Sequence, residues 1–213
     1  MLPDPELYYL RSENVESDHE IHSEFYNAQI ESVFADASPQ RKCYGVRMEL
    51  NEFIRTSAGF ELFVLPAEVD KVIENLQRPI FWTDRHVGPV VESLNRVFVE
   101  SINVKALKSD LAARKLTIDF KSFASLKTLD LWLKERFGFT DTAALLCPFF
   151  VLYDFRVLTS HLQPAANKQV ILTSIITRLG LPANTGDNQV IYDALISQML
   201  TSLAELRSRI IGT

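Results

Sequence analysis

From Asp187 to Ile211 apolar side chains return every three or four residues, at Ile191, Leu195, Met199, Leu203, Leu206 and Ile210. That period puts them on one stripe of a long helix, which must be covered by other elements. Related patterns recur upstream. Ser38-Pro39 reads as an N-cap with proline in the first turn, opening a helix toward Ile54 that Ser57-Ala58-Gly59 ends. Pro66 to Leu76 and Asp84 to Ile102 read as further helices, the second carrying Val87, Val91, Leu94, Phe98 and Ile102. Val104 to Leu116, Ser122 to Phe137 and Asn167 to Leu179 follow, with Gly138 and Gly180 as stops. Phe60 to Leu65 is a short apolar link. The expectation is an all-α antiparallel bundle joined by short loops.

With 213 residues and 47% hydrophobic content, the chain can bury a sizeable core. Charge is unevenly placed. The net of -5 hides a first segment, residues 1–36, with nine acids against Arg11, so that the remainder carries a positive excess. We therefore divide the chain into an acidic N-terminal arm and helix over 1–36 (capped by Ser17-Asp18) and a helical bundle over 37–213. Within 149–182, Arg156, Lys168 and Arg178 face Asp154 alone, which suits a phosphate ligand but falls short of the basic stripe of a tight binder of long nucleic acid.

Several classes receive no support. The longest uncharged apolar run, Thr142 to Tyr153, is short for a bilayer span of about 20 residues, and Met1-Leu-Pro-Asp-Pro lacks a signal-peptide start. A cytoplasmic protein without a membrane partner is expected. Cys43 and Cys147 are too few for a disulfide framework and read as buried free thiols. His19 and His22 read as a solvated face rather than a metal site, and His86 as helix-start chemistry. No Gly-rich phosphate loop or serine elbow occurs. No cofactor and no metal are expected.

One helix breaks the apolar pattern with chemistry. Thr140-Asp141 opens it, and Pro148 is expected to kink or restart it, leaving Phe149 to His161 as one straight segment. Phe149, Phe150, Tyr153 and Phe155 nearly encircle it, which signals central burial. Near its end stand Arg156 and His161, four residues between them, an always-charged phosphate donor and a side chain that titrates near neutral pH.

Leu152-Tyr-Asp-Phe-Arg156 through Ser160-His161, in a late helix of an all-helical chain, resembles the HEPN superfamily, whose signature is an Arg followed shortly by a His at a helix end. The resemblance covers about residues 120–213, the HEPN-like core, and is similar to C-terminal regions of bacterial phage-defence proteins. It implies a metal-independent RNA endonuclease in a defence or toxin role. In that role Arg156 holds the phosphate, His161 moves protons, and Asp154, Tyr153 and Ser160 support them, Asp154 by orienting a cation. The two side chains diverge by about 140° on an ideal helix. The resemblance accordingly implies a homodimer whose twofold axis unites two copies of the motif. RNA is the implied substrate, and an antitoxin or other protein is a further partner. Val157 stands where active members commonly carry a polar residue. The alternative is a non-catalytic interaction or regulatory module of a larger protein, in which Arg156 pairs with an acid such as Asp154 and His161 caps its helix.

Overall fold

A computed structural model describes residues 37–65, 72, 76–114, 119–160 and 164–212 of the chain. Seven α-helices account for the regular structure among them: α1 (Pro39–Ala58), α2 (Asp84–Asn95), α3 (Val104–Ala113), α4 (Ser125–Phe137), α5 (Thr142–Ser160), α6 (Ala165–Leu179) and α7 (Asn188–Ile211). The all-α expectation holds. The expected acidic arm, His19, His22 and most of the Pro66–Leu76 segment lie outside the described residues.

Helix ends follow local chemistry. The Ser38 hydroxyl accepts from the Arg41 amide, Pro39 fits the first turn, and Gly59 closes α1 at φ 78°. Gly138 and Gly180 close α4 and α6 in the same left-handed conformation, which costs a glycine little. Asp187 caps α7 by accepting from the Gln189 amide at 2.7 Å. Some boundaries differ from expectation: Ser122 lies in a turn and α4 starts at Ser125, while α6 starts at Ala165, two residues before Asn167.

The central element is α5. It packs against α2, α4, α6 and α7, while α1 lies along α7 and α3 along α4. Val151, Leu152 and Phe155 are fully buried, and Phe149 nearly so, whereas Tyr153 is 46% exposed. Pro148 does not restart the helix, which continues through it from Thr142 to Ser160. The ring deprives the Ala144 carbonyl of its usual donor four residues on, and Ala144 lies on the exposed side, where water can replace it. By length and composition α5 is apolar enough to cross a membrane, with mean hydropathy 1.4 over Thr142–Thr159. Its apolar side chains here form the middle of the bundle.

The end of α2 departs from an ordinary helix. Residues Arg96–Glu100 continue it as a wider π-turn, the Ser101 amide reaching back to the Arg96 carbonyl at 3.0 Å. The Val97 carbonyl accepts instead from the Ser101 hydroxyl and from Arg47 Nε at 3.0 Å. Arg47 is 2% exposed, its guanidinium over the Phe63 ring at 4.9 Å, and burial draws its pKa below the usual arginine range. The Phe60–Leu65 link is fixed from two sides. Asn51 exchanges two hydrogen bonds with the Phe63 backbone, at 2.7 and 2.8 Å, and Val64 donates to the Ser101 carbonyl. Cys43 is buried and its thiol is pushed up to about 12, while Cys147 is half-buried.

Phe155→Ala and Tyr153→Ala, two residues apart on α5, test this packing. Urea unfolding is expected to show a loss of about 3–5 kcal/mol for the buried ring and well under about 1 kcal/mol for the exposed one.

Candidate functional site

Because Phe155 fills the core, the next residue of α5 emerges beside α2, and the Arg156 side chain is 23% exposed there. Its Nε donates to Glu92 Oε2, Nη2 reaches the other Glu92 oxygen at 3.5 Å, and Nη1 lies 3.6 Å from Glu100 Oε1. Glu92 also accepts from Arg96 Nε at 3.1 Å, one helical turn along α2. Asn95 Nδ2 donates to Glu100 at 2.9 Å. The Asn95 Oδ1 is buried without a hydrogen-bond partner.

The π-turn makes this grouping possible. In an ideal α-helix Glu100 would sit about 80° round the axis from Glu92. The wider turn at Arg96–Glu100 rotates less per residue and carries Glu100 back toward the Glu92 side, where one guanidinium meets both carboxylates. Burial works to raise the Glu92 pKa, but the hydrogen bonds and charges of Arg156 and Arg96 outweigh it, so the carboxyl sits below its ordinary range. The hydrogen bond from Arg156 to Glu92 in turn raises the Arg156 pKa.

Arg156 opens onto a groove of about 500 Å3 between α2 and α5, walled by Arg85, Gly88, Pro89 and Glu92 on one side and by Thr159 on the other. The Thr159 hydroxyl is occupied within its own helix, donating to the Phe155 carbonyl at 3.0 Å. Chemically the groove offers fixed guanidinium donors beside solvent, an arrangement suited to an anion's oxygens. Among the described residues, no group of three or more His, Cys, Asp or Glu side chains is placed to hold a metal ion.

The other expected site residues are distributed differently. Asp154 does not orient Arg156: it pairs with Arg178 of α6 and ties the two helices together. It emerges from α5 two positions before Arg156, and the α6 cation meets it there. Tyr153 is exposed on α5. Ser160 is the last residue of α5, and its side chain lies, with His161, outside the described residues. His86 does sit at a helix start, its Nδ1 2.8 Å from the Thr83 hydroxyl. Sequence reasoning missed Glu92 and Glu100 as partners of Arg156, and Arg96 as the second cation on Glu92. The four-residue spacing of Glu92 and Arg96 was the available signal, although it equally marks an ordinary surface pair.

Comparison with protein-family models, curated proteins and solved structures finds no match to this chain.

Replacing Glu92 by Gln removes the carboxylate shared by two guanidinium groups. The expected cost is about 1–3 kcal/mol at neutral pH. Since the folded Glu92 pKa lies below its ordinary 4.5, the stabilisation is complete above that value and is lost as pH falls through the lowered one. Thermal unfolding between neutral and acid pH should therefore show the Glu92→Gln deficit shrinking as the solution is acidified. A deficit constant with pH would assign it to packing instead.

Proposed function

We propose that this chain is a HEPN-like, metal-independent RNA endonuclease acting in a bacterial defence or toxin role. The observation that carries the reading is Arg156. An arginine in the most apolar helix of the bundle opens, partly exposed, onto a solvent groove instead of being sealed in the core or spent on its neighbour Asp154.

RNA supplies its own nucleophile, so the protein needs only to align the strand, stabilise charge and move protons. The ribose 2'-oxygen attacks the adjacent phosphorus as the bond to the 5'-oxygen breaks, leaving a cyclic phosphate and a 5'-hydroxyl. The proton lost by the 2'-hydroxyl is balanced by one delivered to the departing oxygen. His161 is the proton carrier in this scheme, and Arg156 donates to the non-bridging phosphate oxygens as negative charge builds on them. The carboxylate of Glu92 holds the Nε edge, which fixes the guanidinium plane, while Nη1 meets Glu100 only at 3.6 Å and is the edge a phosphate can take. On an ideal helix side chains five positions apart would diverge, which for Arg156 and His161 favours a homodimer in which two copies complete the site.

A second reading rests on a specific observation. Arg156 is ion-paired to two carboxylates and is followed by Val157, as suits a non-catalytic interaction module in which the cluster joins α2 to α5.

His161→Ala separates the two. The nuclease reading expects RNA cleavage by the wild type in the presence of a chelator, with cyclic-phosphate ends. It expects a loss of roughly 100-fold or more in the variant with an unchanged thermal transition. Equal cleavage by both proteins, or none by the wild type, supports the module.

A further inference from the structure

Around Arg156 the charges cancel. Arg156 and Arg96 face Glu92 and Glu100, so the centre of the groove carries no excess positive charge to draw in a polyanion. Lys168 and Asp84 are likewise paired, at 4.0 Å. Arg85 is different: it is exposed, lines the same groove, and has no ion-pair or hydrogen-bond partner among the described residues.

Its position follows from α2. Arg85, Gly88, Pro89, Glu92 and Arg96 share one face at helical spacing, and between Arg85 and Glu92 that face carries only glycine and proline, with no long side chain to stand in the way. Asp84 also lines the groove, but its carboxylate is met by other donors, accepting from Asn188 at 3.0 Å and lying 4.0 Å from Lys168, which balances its charge. Arg85 thus keeps its donors for a ligand. Seven residues separate it from Glu92, a rise of roughly 10 Å, too far for one phosphate group to bridge.

Resting on the nuclease reading, we propose that Arg85 is a substrate-binding residue, which holds a phosphate of a single RNA strand neighbouring the one presented to Arg156. The strand then runs along the α2 face of the groove. Arg85 supplies the net positive charge that the neutralised centre lacks, and acts on binding and alignment rather than on the reacting phosphate. A flexible single strand suits the site better than a rigid duplex, because each phosphate can settle separately on its guanidinium.

The test uses the full chain and a short single-stranded RNA whose 2'-hydroxyls are methylated, which cannot be cut. Binding is followed by fluorescence anisotropy over a series of salt concentrations, beside cleavage of the unmodified strand. Arg85→Ala is expected to weaken binding roughly threefold to tenfold and to make the log–log salt slope shallower by about 0.7, the loss of one neutralised phosphate. Arg85→Lys keeps the charge and should restore most of the slope. An unchanged slope in Arg85→Ala, with cleavage by the wild type that His161→Ala abolishes, overturns the role of Arg85 and leaves the nuclease reading standing. A wild type that neither binds the methylated strand nor cuts the natural one overturns both.

Discussion

The burial of α5 is the constraint from which the arrangement follows. A helix so largely apolar must be covered over most of its surface, so α2, α4, α6 and α7 pack against it and their own apolar stripes are satisfied in the same act, leaving the side of Ala144 and Tyr153 to solvent. Full burial of Val151, Leu152 and Phe155 fixes the rotation of α5 about its axis. Once that rotation is set, the exits of Asp154 and Arg156 are set too, one toward α6 and the other toward α2.

Polar groups near this core are handled by specific partners. The wider turn at Arg96–Glu100 serves two of them: it leaves a carbonyl for buried Arg47, and it turns Glu100 toward Arg156. A half-buried guanidinium between two carboxylates is held in one plane, with less freedom to lose when an anion approaches. The same pairing removes the net charge that would attract the anion. The balance between orientation and neutralisation is what distinguishes the nuclease reading from the interaction-module reading, and it makes Arg85, unpaired among the described residues, relevant to the groove.

Much of the fold was legible because helix signals are local. The stripe from Ile191 to Ile210, the cap at Ser38, and the stops at Gly59, Gly138 and Gly180 each act within a few residues. Pro148 does not restart α5, because buried residues on both sides of it, Leu146 and Phe149 among them, hold the helix across the missing backbone bond. Which cation Asp154 would meet was not legible for a related reason. Proximity in sequence suggested Arg156 as its partner, but side chains two apart on a helix leave it about 160° apart, and the neighbouring helices decide what each meets.

Helical periodicity, the ends of most helices, the central place of the most apolar one and the interruption of its surface by Arg156 could all be read from the order of residues. Those properties depend on periodicity and on short-range backbone chemistry. It took the packed helices to show that Glu92 and Glu100 hold Arg156, that Asp154 turns to Arg178, and that Arg85 lines the same groove without a partner among the described residues. Such pairings join residues distant in the chain, and they depend on the rotation of packed helices and on one widened turn, neither of which leaves a local mark in the order of amino acids.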